Sequence, residues 1–102
     1  MVTPEALAPW AVPAPPQDPP PLPYLREPAG RRSNYDLALE VAIRPEGAAR
    51  AAVVSRSSMR SLYWTLPQMI AHHTAGGCNL RPGDLLGTGT LSTEARALQL
   101  PP

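Results

Sequence analysis

The stretch Thr65–Thr90, which reads TLPQMIAHHTAGGCNLRPGDLLGTGT, decides the fold. Its first residue can cap a helix, because the Thr65 hydroxyl can accept the free backbone amide three positions further on. Gln68 stands at that position and completes the reciprocal half of a capping box. The glycines at 76–77 can take positive φ and end the helix. The stretch therefore predicts one α-helix over about 65–75.

A turn and a short strand are predicted after this helix. Arg81–Asp84 carries the Pro-Gly chemistry of a tight turn. Leu85–Leu91 is apolar at its start and is predicted as a strand. Gly87–Thr90 follows within it, and its glycines let the backbone approach a ligand closely because they have no Cβ.

A β-hairpin is predicted upstream of the helix. Asn34–Arg44 alternates apolar and polar residues with a period of two, which indicates a strand with one buried face. Ala48–Ser55 is a second apolar run, and the two runs can pair in antiparallel fashion before a break at Ser57–Ser58. Tyr63–Trp64 is the largest apolar pair in the chain, and we expect it in the core.

The N-terminal residues 1–33 are rich in proline and are predicted to form an extended arm, since proline fixes φ and disfavours helix in the residue before it. The favoured interpretation is an arm laid over a domain surface. An alternative is an interaction module in which the PxxP spacing of Pro20–Pro23 docks into an SH3- or WW-type groove. The apolar side chains that would anchor the arm are Trp10, Leu22, Tyr24 and Leu25.

Three groups of side chains could take part in catalysis or metal binding. For each group we favour a structural role instead. Asp36 and Glu40 share one strand face and could do acid–base work or hold a cation, but such pairs are usually solvated. His72 and His73 point about 100° apart on a helix, so they suit one metal ion poorly; we expect His72 exposed and His73 buried. Cys78 is predicted to be a small buried residue rather than a nucleophile paired with His73.

Composition excludes several functional classes. The chain has 102 residues, a net charge of +1, 15 prolines and a single cysteine. A net charge of +1 does not provide the basic surface that nucleic-acid binding usually requires. A single cysteine allows no intrachain disulfide. No apolar run reaches the length of a membrane helix, and no secretory signal is recognisable. We therefore expect a cytoplasmic protein with no nucleic-acid or membrane partner. With few aromatic residues, it should struggle to bury a core of its own.

Several stretches carry a family resemblance through their order and spacing. They are Pro9–Pro13, Gln17–Leu25, Leu37–Ile43, Tyr63–Thr65, His72–His73, Gly77–Leu86 and Gly89–Ser92. Together they resemble the fumarylacetoacetase family of C–C bond hydrolases, which act on 4-fumarylacetoacetate in the last step of tyrosine and phenylalanine degradation. The resemblance runs from about Ala8 to Ser92.

The resemblance implies a mainly β fold, a mixed β-roll type of catalytic domain, in members that are homodimers. It also implies a Mg²⁺ or Ca²⁺ cofactor held by carboxylates, with a His–Glu pair that activates water against a diketo acid substrate. Only Thr90 maps onto a family site residue, a substrate contact. No catalytic or metal-binding residue of the family has a counterpart here.

The resemblance leads us to divide the chain into the arm 1–33, a partial catalytic domain 34–92 and a divergent tail 93–102, in which 94–100 could form helical turns. We expect a truncated piece that binds no metal tightly and hydrolyses nothing alone. A further alternative is one half of a split enzyme, completed by a separately encoded chain.

Overall fold

The computed structural model describes residues 1–93 of the chain. The tail 94–102, including the helical turns predicted for 94–100, lies outside the described residues. The elements, in chain order, are helix α1 (Pro4–Leu7), a 3₁₀ turn (Ala8–Trp10), strand β1 (Ala11–Val12), a 3₁₀ turn (Pro23–Leu25), strands β2 (Asn34–Tyr35), β3 (Ala38–Ile43) and β4 (Ala52–Ser58), a 3₁₀ turn (Met59–Ser61) and helix α2 (Leu66–Ala75). Within this part of the chain, no helix is long and apolar enough to cross a membrane.

The strands form two separate antiparallel pairs, β1 with β2 and β3 with β4. The first pair joins the Pro-rich segment to the rest of the chain, with Ala11 opposite Tyr35 and Val12 opposite Asn34. Two small antiparallel sheets and few helices agree with the predicted mixed β class.

The predicted hairpin is present, but its strands differ from the expectation in extent and burial. The first run is divided into β2 and β3, because the backbone at Asp36 and Leu37 bonds to Trp10 and Met59 instead of to β4. Strand β4 continues through Ser57 and Ser58, where a break was predicted.

The prediction of one buried face on this run is wrong for β3, whose residues are all exposed. In the described part of the chain, no further layer packs on the hairpin. Among residues 1–93, the one strand that pairs with β3 is β4, and a register shift between Val41 and Ala42 marks a β-bulge.

Helix α2 is confirmed together with its cap. The Thr65 hydroxyl accepts from the Gln68 amide at 3.2 Å, and the Gln68 side chain accepts from the Thr65 amide at 3.0 Å. At the other end Gly77 has φ +87° and closes the helix, as predicted. The most buried residue of the helix is the polar Gln68, whereas the apolar Ile70 is 47% exposed.

The apolar core is thin. Among the described residues, Leu25 and Leu62 are the buried hydrophobic side chains. The prediction that Tyr63 and Trp64 are core residues is wrong, since they are 39% and 43% exposed. They contact each other edge to face, with ring centroids 5.0 Å apart.

The segment after α2 is irregular. The predicted turn is present: the Asp84 amide donates to the Arg81 carbonyl at 3.1 Å, and Gly83 takes φ +92°. The strand predicted over Leu85–Leu91 is absent from the structure. A strand needs a neighbour to complete its backbone ladder, and none lies beside this segment in the described part of the chain.

Candidate functional site

A groove of about 630 Å³ lies between the Pro-rich segment and helix α2. Prolines and aromatic rings make most of its wall, which is largely apolar. An apolar wall with a few polar groups is typical of sites that bind small molecules or peptides. The lining residues are Pro19, Pro20, Pro21, Leu22, Tyr24, Leu25, Tyr63, Trp64, Gln68, Met69, His72 and Thr88.

Two ring side chains with polar atoms, Tyr24 and His72, meet in the wall of the groove. Tyr24 Oη and His72 Nδ1 are 3.0 Å apart and form a hydrogen bond, and the two rings stack at an interplanar angle of 20°. This contact ties the Pro-rich segment to the middle of α2. His72 is exposed, as predicted, and keeps its second ring nitrogen for another partner.

A network of amide groups joins half-buried Gln17 to buried Gln68, which lines the groove. Gln68 Nε2 donates to Gln17 Oε1 and to the Leu25 carbonyl, each at 2.8 Å. Gln17 Nε2 donates in turn to Gln68 Oε1 at 2.9 Å and to the Tyr63 carbonyl at 2.8 Å. These bonds satisfy polar groups that would otherwise be costly to bury, and they hold the two walls of the groove together.

A second set of bonds fixes the start of α2. Glu27 Oε2 accepts from the Ser33 hydroxyl at 2.6 Å and from the Thr65 hydroxyl at 3.2 Å. The other oxygen, Oε1, is buried without a hydrogen bond from any described residue, and the Arg31 guanidinium lies 3.9 Å away. The cap of α2 is therefore also a tertiary contact to the Pro-rich segment.

Thr90, the predicted substrate contact, is exposed in the irregular segment after α2. Gly89 beside it has φ +76°, so a residue without Cβ is favoured there. The structure brings Thr88, two residues earlier, into the groove wall. Thr90 itself is not among the lining residues, and its role stays a prediction.

The two carboxylates on the hairpin are paired with arginines. Glu40 Oε2 accepts from Arg56 Nε at 2.9 Å, and Asp36 Oδ2 lies 3.3 Å from Arg60 Nη1. All four side chains are about half exposed. This arrangement agrees with the solvated interpretation and leaves neither carboxylate poised for acid–base work.

The residues present do not fit a Mg²⁺ or Ca²⁺ site. Such ions take several oxygen ligands, and nowhere in residues 1–93 do three His, Cys, Asp or Glu side chains group so that they could hold a metal. Asp36 and Glu40 each accept a hydrogen bond from an arginine through one carboxylate oxygen. No step of a reaction is therefore assigned to an ion bound by these residues.

His73 and Cys78 differ from their predictions, because both are exposed instead of buried. Cys78 Sγ lies 3.4 Å from His73 Nε2, so the two side chains do form a pair. The adjacent histidines thus have separate partners, His72 with Tyr24 and His73 with Cys78.

One carboxylate has a displaced pKa. A backbone hydrogen bond at Glu5, followed by one from the Thr3 side chain, holds the pKa of Glu5 below its ordinary value. This carboxylate is fully exposed at the start of α1 and takes no part in the groove.

Sequence reasoning missed the groove and the amide network that joins Gln17 to Gln68. Tyr24 and Leu25 were recognised as anchors, but only Leu25 is buried. The capping box already signalled Gln68, yet its spacing says nothing about Gln17, 51 residues away in the chain. Such a partner is visible only once the chain is folded.

Comparison with known proteins defines the family to which this chain belongs. A model of the fumarylacetoacetate (FAA) hydrolase C-terminal domain matches residues 1–100. The chain therefore belongs to the fumarylacetoacetate hydrolase family. The match covers the Pro-rich segment as well as the rest, which does not favour a separate interaction module.

Several similar proteins carry the name fumarylacetoacetase. Fumarylacetoacetase of Arabidopsis thaliana is 55% identical over 92 residues, which cover 90% of this chain and 21% of the relative. The Rattus norvegicus and Homo sapiens fumarylacetoacetases are 49% and 48% identical over 88 residues, covering 86% of this chain and 20% of each relative. The chain thus spans about a fifth of the length of the curated relatives it matches.

Proposed function

We propose that this chain is part of a fumarylacetoacetase. That enzyme adds water across a C–C bond of 4-fumarylacetoacetate and releases fumarate and acetoacetate, the last step of tyrosine and phenylalanine degradation. The observation that carries the proposal is the 55% identity to a fumarylacetoacetase across 90% of the chain. The family match over residues 1–100 supports it.

Within the proposal, residues 34–92 supply part of a mixed β-roll catalytic domain, and residues 1–33 are an arm that braces it. The hydrogen bonds between the arm and α2 support the bracing role. Residues 93–102 are treated as a separate tail. A homodimer and a cytoplasmic location stay predictions from the sequence.

Thr90 is the residue of this chain that we propose to contact the substrate. Its hydroxyl can donate to a carboxylate or enolate oxygen of a diketo acid. It is exposed, and it follows a glycine in a conformation that leaves the backbone uncrowded. The Mg²⁺ or Ca²⁺ of the proposed enzyme would be held by residues other than those described here.

A chimera tests the proposal directly. The matched segment of the Arabidopsis thaliana fumarylacetoacetase is replaced by that of this chain, and hydrolysis of fumarylacetoacetate is measured. We expect the chimera to turn over substrate, because half of the exchanged positions are already identical. A folded chimera without activity, as judged by circular dichroism, would overturn the proposal.

The same chimera tests Thr90. Thr90→Val removes the hydroxyl while keeping the shape, and Thr90→Ser keeps the hydroxyl as the matched control. A hydrogen bond to a charged group is worth about 1.5–3 kcal/mol, so kcat/KM should fall roughly 10- to 150-fold in the valine variant. The serine variant should stay within a few-fold of the parent. Equal activity of all three would exclude a contact through this hydroxyl.

The chain alone should bind no Mg²⁺ or Ca²⁺ at micromolar concentration and should hydrolyse nothing. The reason is that its described carboxylates are paired or isolated and form no ligand cluster. Titration calorimetry and an assay with fumarylacetoacetate check this. Micromolar binding or turnover would contradict it and would show that the chain holds a complete site.

A further inference from the structure

The end of helix α2 carries a thiol and an imidazole within reach of each other. Cys78 Sγ lies 3.4 Å from His73 Nε2, and both side chains are exposed. In the neutral imidazole whose proton is on Nδ1, Nε2 is an acceptor, so the thiol can donate to it. A nucleophile with a base at hydrogen-bond distance is the arrangement that activates cysteine for attack on carbon.

The way in which α2 ends brings these two side chains together. His73 lies in the last turn of the helix, and the Gly77 amide donates to the Thr74 carbonyl at 2.9 Å. Gly77 then takes φ +87°, a conformation that residues with a Cβ rarely adopt. The chain therefore turns back directly before Cys78, and the thiol meets an imidazole five residues earlier in the sequence.

The surroundings of the pair exclude other uses of the thiol. Two ligands are too few for a structural zinc site, and within residues 1–93 no cluster of three His, Cys, Asp or Glu side chains could hold a metal. The chain has a single cysteine, so an intrachain disulfide is impossible. Neither Cys78 nor His73 lines the groove, so the groove does not place a substrate beside the thiol. An exposed, base-paired thiol of this kind is suited to react with a small electrophile from solution.

We propose that Cys78 is a modification site for electron-poor alkenes, that is, double bonds conjugated to a carbonyl group, with His73 as the base. Sγ bonds to the β-carbon of the alkene, the π bond breaks, and its electron pair moves onto the carbonyl as an enolate. The thiol proton passes to His73 Nε2 and from there to the α-carbon. The product is a thioether; nothing is oxidised or reduced, and no group leaves.

The composition of the chain directs such an electrophile to this thiol. Amines and thiols are the side chains that add to electron-poor alkenes, and the sequence has one cysteine and no lysine. The fumaroyl group of 4-fumarylacetoacetate belongs to this class of alkene. The link to that compound rests on the proposed function, whereas the reactivity of Cys78 does not.

Alkylation kinetics of the isolated chain test the proposal. The probe is monoethyl fumarate at neutral pH, and its addition to Cys78 is followed by mass spectrometry. His73→Gln removes the base and keeps a polar side chain. His72→Gln is the matched control, because the neighbouring imidazole bonds to Tyr24 instead. Far-UV circular dichroism checks that each variant keeps its helix.

We expect His73→Gln to slow alkylation at least about 10-fold, because a positioned general base typically contributes that much or more. His72→Gln should change the rate by less than about 2-fold, since this imidazole is paired elsewhere. Gly77→Ala is a second variant: it keeps both reacting side chains, disturbs their placement, and should also slow the reaction. In concentrated urea all four chains should react at the same rate, because unfolding separates the pair.

Equal rates for the parent chain and His73→Gln in native buffer would overturn the proposal. An equal loss in the two histidine variants would overturn it as well, since only one imidazole faces the thiol. A difference that persists in urea would do the same, because it could not come from the folded pair. Hydrolysis is not measured here, so these outcomes leave the proposed function untouched, and an inactive chimera leaves the reactivity of Cys78 untouched.

Discussion

Two regions of the molecule differ in which side chains they bury. One is the junction between the Pro-rich segment and helix α2, and the other is the β3–β4 hairpin. At the junction, polar side chains are buried and paired: Gln68 is 3% exposed, and its amide bonds to Gln17 and to the Leu25 carbonyl. On the hairpin, apolar side chains are exposed and the ion pairs face solvent. The junction thus buries polar groups that bond to one another, whereas the hairpin leaves apolar side chains in solvent.

The contrast shows what holds each region. Hydrogen bonds between buried groups contribute modestly when they are made and cost much when one partner is removed, so the junction depends on single side chains. The hairpin is held by its backbone ladder, and its exposed side chains add little. Mutations should therefore have unequal effects in the two regions.

The largest effect is expected from Gln68→Ala. The change leaves the Leu25 carbonyl and the Thr65 amide without their partner, which should cost roughly 2–3 kcal/mol of local stability. Exchange of the Met69 amide, which bonds to the Thr65 carbonyl, should then be about 30- to 150-fold faster by NMR. Ile70→Ala, on an exposed side of the same helix, is the control and should change the rate little. Equal rates in the two variants would refute the role of the amide network.

Thr65→Ala should have an intermediate effect. It removes the helix cap and the hydrogen bond to Glu27, and loss of such a cap typically costs about 1 kcal/mol. The matched variant Thr65→Ser keeps the hydroxyl and should restore most of the helicity measured by far-UV circular dichroism. If serine and alanine behave alike, the methyl group and not the hydroxyl stabilises this end of α2.

The smallest effect is expected on the hairpin, from Arg56→Gln. Glu40 and Arg56 are each 50% exposed, and an exposed ion pair contributes about 0–1 kcal/mol. Amide exchange across β3 and β4 should change by less than about 5-fold, and the difference should vanish in high salt. An effect as large as that of Gln68→Ala would mean that the hairpin also depends on single polar contacts, and the comparison would fail.

Prediction from the sequence succeeded where the signal was local. The capping box, the turn at Arg81–Asp84 and the antiparallel pairing of β3 with β4 follow from residues near one another in the chain. Each depends on backbone geometry and on short-range hydrogen bonds, which neighbouring residues determine. The same local signals, in their order along the chain, also carried the family resemblance.

Prediction failed where the outcome depended on distant residues. Periodicity marks which side chains share a face of β3, but it cannot say whether another layer covers that face. Burial is also predicted for Tyr63, Trp64, His73 and Cys78 from their residue types and local positions, and all four are exposed. A side chain is buried only when other residues pack around it, and the described chain has few buried apolar residues.

The sequence by itself determined the helix, its cap, the turn, the hairpin pairing and membership of the fumarylacetoacetate hydrolase family. Only the tertiary structure decided that Gln17 and Gln68 would meet, that a groove would open beside them, and that the apolar side chains of β3 would be exposed. The physical reason is the distance along the chain over which each property is determined. Local backbone preferences are encoded residue by residue, whereas burial is a property of everything that packs around a residue.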